Sequence, residues 1–291
     1  MPRRVIVLAL VAALAGCGAE RPAQAPPPQP EVALPAPDAP LPREPRELAA
    51  ALADTSERLR AAAGAWRDAG GDPPESVTLL ALHQQRIHLR LGSRPGLARR
   101  TLARLPRPLA ADARDIVHAR RALASIHSVV RSRPKVRVGP ARPADELLRN
   151  YRRAQRRFGV GWPLLAAVNF VESAFGRLRN TSVSGAQGPM QFMPATWDAY
   201  GLGGDVRDPR DAILGAANYL HASGAPGDER AALYAYNPSR HYVSAIARYA
   251  RLIRRDPRAF YELYAWQVFV RDDRGGYRRL TGPGRTSTAD G

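Results

Sequence analysis

Apolar residues recur at helical spacing through most of the chain. Leu48, Leu52, Leu59 and Ala62 fall three, four or seven residues apart, and Leu79, Leu82, Ile87 and Leu91 resume the pattern after a break at Gly70-Gly71-Asp72-Pro73-Pro74. Two or three further helices fit between Leu97 and Val130. Residues 134–143 hold three prolines and one glycine and mark a boundary. Beyond it Asp145 can cap a helix through Leu147, Leu148, Tyr151 and Phe158, closed by Gly159 and Gly161; Pro163 then suits the first turn of a helix that stops at Gly176. Near the end the period changes. Tyr264, Trp266, Val268 and Val270 alternate, Asp272 to Gly276 reads as a turn, and Tyr277 to Leu280 completes a β-hairpin, with a frayed tail from Thr281. The fold class expected is mostly α with a C-terminal hairpin.

The first residues carry a different pattern. Arg3 and Arg4 precede an apolar run from Val5 to Ala13, the arrangement of an export signal. Leu14-Ala15-Gly16-Cys17 resembles a bacterial lipobox, which implies that residues 1–16 are a lipoprotein signal peptide and that Cys17 is lipidated and becomes the mature N-terminus. Several acyl chains on one cysteine anchor a protein firmly, whereas one binds reversibly. An ordinary secretory signal with an incidental cysteine is the alternative. Residues 18–45 contain ten prolines and few large apolar groups, so 17–45 reads as a lipidated Cys and a Pro-rich disordered tether. The expected location is outside the cytoplasmic membrane, facing the periplasm or cell wall.

Composition narrows the classes. With 291 residues, 45% of them hydrophobic, the chain can build a core. The longest apolar run, Val5 to Ala15, is too short for a spanning helix, which needs roughly 20 residues. A single cysteine leaves no internal disulfide, and no Cys/His spacing suggests zinc. The net charge of +18 is concentrated in residues 46–143, with 19 basic and 8 acidic residues. Such a surface favours polyanions: nucleic acid, anionic lipid or acidic wall polymers. No nucleic-acid-binding motif is present, so that partner is not expected. Residues 46–133 hold no recognisable chemistry and read as a helical region of unknown role; 134–143 is a linker, 144–256 a second helical domain, and 257–291 the hairpin and tail.

The chemistry concentrates in that second domain. Leu165, Val168, Glu172 and Phe175 follow spacings of three, four and three, so a carboxylate shares a stripe with apolar side chains. Burial disfavours its charged form, and the negative end of the helix at Gly176 pushes the same way, which is what a general acid near neutral pH requires. Pairing to Arg177 or Arg179 is the structural alternative. No second carboxylate faces it in the pattern, so one acid would do both proton transfers. Gly185 to Trp197 reads as a glycine-containing loop entering a helix; its Gln191 can bond in both directions, and Met193 offers a soft wall or fills core. Ala235-Tyr236-Asn237 ends a helix with a phenol and an amide side by side.

Taken in order, Glu172-Ser173-Ala174-Phe175, the Gly185 to Trp197 stretch and Ala235-Tyr236-Asn237 resemble the three signature motifs of the soluble-lytic-transglycosylase (SLT) domain, related to goose-type lysozyme. The likeness covers residues 144–256, with Asp208-Pro209, Ala212-Ile213 and Asn218-Tyr219-Leu220 adding some character of the membrane-bound B-type branch. It implies a lysozyme-like helical catalytic domain. It also implies cleavage of the MurNAc-GlcNAc β-1,4 bond of peptidoglycan glycan strands without water, leaving a 1,6-anhydro-MurNAc end, with no cofactor and no metal. Glu172 matches the single catalytic acid, then base. Gln191, Met193, Tyr236 and Asn237 match substrate-binding positions, and Ser182 stands where a substrate-contacting Ser is found, although one extra residue separates Glu172 from Gly185.

Three departures are visible. Pro189 replaces a common Leu, Pro238-Ser239 replace Ala-Gly, and Gly203 to Asp208 is too short for a calcium loop, so no bound calcium is expected. A hydrolytic lysozyme-like muramidase and a non-catalytic peptidoglycan-binding protein are the competing readings.

Overall fold

The computed structural model describes residues 33–126, 136–271 and 276–285. The expected signal peptide, the lipidation site Cys17 and the first part of the tether lie outside the described residues, as do His127, Pro134, Lys135 and the Asp272 to Gly275 turn. Among the described residues there are eleven helices and one two-stranded antiparallel sheet.

The N-terminal region contributes α1 (Pro45–Ala69), α2 (Glu75–Ser93), α3 (Pro95–Leu102) and α4 (Arg107–Ile126). Proline opens α1 and α3, where the first turn needs no N–H donor. The break between α1 and α2 is where glycine demands it: Gly70 and Gly71 have φ of 72° and 80°. After the linker come α5 (Ala144–Phe158), α6 (Trp162–Ser173), α7 (Pro194–Tyr200), α8 (Pro209–Ala222), α9 (Glu229–Tyr236), α10 (Arg240–Arg255) and α11 (Arg258–Tyr264). Asp145 does not cap α5. The helix starts after Pro143, and Asp145, in the first turn, accepts a hydrogen bond from Tyr261 at 3.1 Å.

Residues from Leu34 onward form one compact unit. Its main core runs from Leu59, Ala63 and Trp66 of α1 and Ile116 and Ala119 of α4 into α5, α6, α8, α10 and α11. Trp66, 2% exposed, meets Tyr261 edge-on at 5.0 Å and Tyr264 at 5.7 Å. A second core of Leu48, Leu52, Ile87, Leu91, Leu97 and Val117 closes α1 to α4 on themselves. Full burial of one such side chain is worth about 1.5–3 kcal/mol.

Polar clasps join the same pieces. Gln85 and the backbone of Gln267 exchange two hydrogen bonds of 2.8 Å, and Trp266 Nε1 donates to Gln84 at 3.2 Å. Asp115 of α4 accepts from Arg248 at 2.7 Å and from Arg251 at 2.6 and 3.0 Å, both on α10.

Two segments differ from expectation. Within the stretch read as a tether, residues 37–42 lie against α2: Arg86 donates to the carbonyls of Pro37 and Ala39, and Arg90 to those of Leu41 and Pro42. A proline-rich strand keeps its carbonyls free of helix or sheet partners, and guanidinium forks take them. At the other end the alternation beginning at Tyr264 is not all strand, since Tyr264 closes α11. The hairpin is β1 (Phe269–Arg271) with β2 (Tyr277–Arg279), registered Phe269 with Arg279 and Arg271 with Tyr277. Thr281 is held, not frayed: its hydroxyl accepts from the Val268 N–H and donates to Gln267, both at 2.9 Å.

Candidate active site

Helix α6 is buried all round from Pro163 to Asn169; Trp162 at its start and Glu172 in its last turn are partly exposed. The stripe read from the sequence is part of a central helix: α6 is buried on every side up to Asn169, and Glu172 follows one turn later at its less covered end. Past Ser173 the chain turns sharply, with Ala174, Phe175 and Gly176 at φ of 51°, 62° and 81°. Left-handed geometry at two non-glycine residues costs of order 1–2 kcal/mol each, offset here by Phe175. Its ring, 2% exposed, packs on Phe260 at 5.6 Å and Phe170 at 5.5 Å.

Neither arginine considered as a partner for Glu172 takes that role. Arg177 lies over the Tyr264 ring at 4.6 Å and donates to the Ala174 carbonyl at 3.1 Å, while Arg179 donates to Pro140 at 2.6 Å. The partner of Glu172 is Tyr242 of α10, whose phenol donates to Oε1 at 2.6 Å. Burial pushes the Glu172 carboxyl up to about 7, and the Tyr242 hydrogen bond opposes it only in part. Burial, then the neighbouring Glu172 charge, raises the phenols of Tyr236 and Tyr242 well above their ordinary value.

Tyr242 was missed by sequence reasoning, and its signal is local. Ser239, one of the departures from the family pattern, is the N-cap of α10 and accepts from the Tyr242 N–H at 3.3 Å. The cap sets the helix start and so fixes which residue of the first turn faces Glu172.

The Gly185 to Trp197 loop is pinned to α6. Asn169 Nδ2 and Ser173 Oγ both donate to the Pro189 carbonyl, at 2.8 and 2.5 Å, and Tyr151 fixes Asn169 from behind at 2.5 Å. Gly188 is obligatory, because a Cβ there would stand 1.9 Å from the Val206 carbonyl oxygen and its φ is 74°. Gln191, at φ 51°, turns its amide inward and donates to Gly188 at 2.9 Å. Met190 is fully buried, while Met193 is 44% exposed beside it.

The remaining sequence-marked residues are placed as follows. Tyr236 donates to the Met190 carbonyl at 2.7 Å and its ring faces Tyr219 at 5.5 Å, which in turn lies 4.7 Å from Tyr200. Half-buried Asn237 ends α9 in extended geometry, and its amide has no partner among the described residues. Ser182 closes a tight turn, its Oγ accepting from the Ala186 N–H at 2.9 Å, with its own proton still free to donate. The structure thus joins Glu172 to Tyr242 by one hydrogen bond and Tyr236 to the Met190 loop by another, with the Tyr236 phenol near enough to Glu172 to feel its charge, and it places Ser182, Met193 and Asn237 around them.

Among the described residues, no group of three His, Cys, Asp or Glu side chains is arranged to hold a metal. The acids of the Gly203 to Asp208 loop serve the backbone. Asp205 accepts from Arg207, Asp208 caps α8, and Asp211 accepts from the Asp205 N–H.

The chain is similar to known proteins. Residues 149–251 match the family model of the transglycosylase SLT domain. A curated protein of Thiobacillus denitrificans (strain ATCC 25259 / T1), membrane-bound lytic murein transglycosylase F, is 29% identical over 143 residues, covering 46% of this chain and 30% of that protein. The chain therefore spans under a third of that relative's length. No solved structure matches.

Proposed function

We propose that this chain, whose residues 149–251 match the family model of the transglycosylase SLT domain, is a peptidoglycan lytic transglycosylase with Glu172 as acid and then base. One observation carries the reading: a carboxyl raised to about 7, held by a phenol and met by no cation among the described residues. Such a group is protonated often enough near neutral pH to give its proton away, and basic enough afterwards to take one back.

In the proposed reaction Glu172 protonates the glycosidic oxygen linking MurNAc C1 to GlcNAc O4. The C1–O bond breaks, and the substrate's own acetamido oxygen shares the positive charge at C1, as in substrate-assisted glycosidases. The carboxylate then removes the proton from the MurNAc C6 hydroxyl, whose oxygen closes on C1. The products are a GlcNAc with a free O4 hydroxyl and a 1,6-anhydro-MurNAc end, with Glu172 reprotonated and no water consumed. Tyr242 holds Oε1, which leaves the other oxygen to carry the moving proton. Tyr236, Gln191, Met193, Asn237 and Ser182 line the path of the glycan strand, with the Tyr200, Tyr219 and Tyr236 rings as stacking surfaces.

The chain would act on the wall from an anchored position, exported by residues 1–16 and lipidated at Cys17. The relative whose name includes "membrane-bound" supports that reading, and among the described residues no helix is long and apolar enough to cross a membrane. The test is mass spectrometry of fragments released from purified peptidoglycan by the wild type and by Glu172→Gln. Anhydro-ended fragments from the wild type alone are expected. Reducing MurNAc ends would make it a hydrolase, and sedimentation with the wall without release would make it a binding protein.

A further inference from the structure

Outside the SLT-matching residues the molecule carries an arginine surface that the proposed reaction does not use. No Asp or Glu occurs between Glu75 and Asp112, a stretch that includes Arg86, Arg90, Arg94, Arg99, Arg100, Arg104 and Arg107. Arg94, Arg99, Arg100, Arg104 and Arg107 are exposed on and around α3. Arg46 faces Arg104 across a shallow groove, and Arg43 and Arg94 lie close enough to Arg90 to depress it further, after the larger effect of its own burial. None of the α3 arginines meets an acidic side chain among the described residues.

Beside this ridge, α3 and α4 enclose a cleft of about 340 Å³. Its rim holds Arg99, Arg114, Arg121 and His118, and its walls are Leu102 and Val117. Arg121 is oriented by hydrogen bonds to the Leu91 and Gly92 carbonyls, at 3.0 and 3.1 Å. No acid lines the cleft, so the rim is cationic and the floor apolar, which suits a phosphate joined to a hydrocarbon chain.

We infer that the α3 ridge and the α3–α4 cleft dock on an anionic phospholipid surface, the cleft taking the headgroup phosphate. The course of the chain favours lipid over other polyanions. Residues 37–42 are strapped to α2 by Arg86 and Arg90, next to Arg43 and Arg94. Only 16 residues lie between Cys17 and Leu34, a reach of at most about 60 Å over the steps that join them. If Cys17 is acylated, as proposed above, the strap leads from the bilayer to the flank of the ridge, and electrostatic docking adds to an anchor in the way polybasic patches do.

The test is co-sedimentation of the compact unit, residues 34–291, with vesicles of phosphatidylcholine alone or mixed with phosphatidylglycerol. The wild type is expected to bind only the anionic vesicles and to be released by salt. Arg99→Ser/Arg100→Ser/Arg104→Ser should lose about a hundredfold in partitioning, with an unchanged circular dichroism melt. Arg149→Ser/Arg153→Ser/Arg156→Ser removes equal charge from the exposed face of α5 and should retain most of the binding. Equal losses in the two variants would reduce the effect to net charge and overturn the site. Release by millimolar inorganic phosphate at constant ionic strength would assign the cleft to free phosphate, and ridge-dependent pelleting with peptidoglycan but not vesicles would assign it to the wall; either overturns the lipid surface. Mass spectrometry of the mature N-terminus decides acylation separately, so the anchor and the ridge can fail independently.

Discussion

The phenol of Tyr242 donates to Glu172 Oε1 at 2.6 Å, tying the first turn of α10 to the last turn of α6. This bond favours the charged carboxylate, whereas burial favours the acid. Tyr242→Phe removes only the opposing influence. The variant should titrate Glu172 at higher pH, shifting the alkaline limb of the pH–rate profile upward, and lose about tenfold to a hundredfold in rate, because in the proposed reaction the carboxylate left after the first proton transfer would lack its donor. Turnover of peptidoglycan measured from pH 5 to 9 checks this. A profile superimposable on the wild type would show that Tyr242 only packs.

Glu172 should also cost stability. Its folded-state pKa lies near 7, above the ordinary 4.5. A raised carboxyl binds its proton more tightly in the folded state, so the protein is unpenalised below about 4.5 and loses stability as pH rises from 4.5 through 7. The upper bound for that loss is about 3 kcal/mol. Glu172→Gln stays neutral and keeps an oxygen for Tyr242. Its Tm should match the wild type at pH 4.5 and exceed it by several degrees at pH 8, as measured by calorimetry; a constant offset across that range would mean that folding leaves the carboxyl's proton affinity unchanged.

Gly188 is held against the Val206 carbonyl, so Gly188→Ala requires either that contact or the 188–191 turn to move. The turn carries Gln191 and positions the Pro189 and Met190 carbonyls that Asn169, Ser173 and Tyr236 bind. Activity should fall by more than tenfold with a loss of about 1–3 kcal/mol in stability. Comparison of kcat/KM with the denaturant midpoint tests it, since an unaltered kcat/KM would uncouple the loop from the reaction.

The pattern along the chain conveyed some of this and hid the rest for identifiable reasons. The place of Glu172 on an apolar stripe was legible from the helical spacing of Leu165, Val168 and Phe175, but that pattern fitted an arginine-paired carboxylate as well as a buried acid. The break at Gly70-Gly71 was legible because both residues need positive φ. Tyr242 was not, since one tyrosine on the apolar face of α10 looks like any core aromatic until the cap at Ser239 fixes its direction. Tyr264 and Trp266 suggested a strand because spacings of two in a short window do not exclude the end of a helix. The strap at residues 37–42 escaped because its partners are main-chain carbonyls, which no side-chain pattern reports.

Asp115 is a polar link between α4 and α10, beside the Asp112–Arg255 pair. Burial raises its carboxyl, but the guanidinium groups of Arg251 and Arg248 outweigh that and hold it below the ordinary value. A lowered acid stabilises the fold above its unfolded pKa, and the contribution disappears as pH falls through the folded value. Asp115→Asn keeps the shape and drops the charge, leaving both arginines uncompensated, and should cost about 3 kcal/mol at pH 7 and much less at pH 3. Denaturation at the two pH values decides it; equal losses would mean that shape, not charge, is what α10 reads.

The last expectation concerns the region before the linker. Trp66, Val77, Leu80, Ile116 and Ala119 belong to the same continuous core as Leu165, Phe175, Tyr249 and Trp266. Tyr261 and Tyr264 rest on Trp66, and Gln84 and Gln85 grip Trp266 and Gln267. A fragment beginning at residue 136 retains every residue of the SLT match yet exposes that apolar face to water, and contiguous apolar patches beyond a few hundred Å² are an aggregation liability on soluble monomers. It should be aggregated or bind hydrophobic dyes, with no cooperative melt, whereas residues 34–291 melt cooperatively. Trp66→Ala within the full unit is the milder form of the same experiment: a loss of about 3–5 kcal/mol is expected, with some of the fall in activity recovered at low temperature. A soluble, active fragment from residue 136 would show that the two halves merely touch.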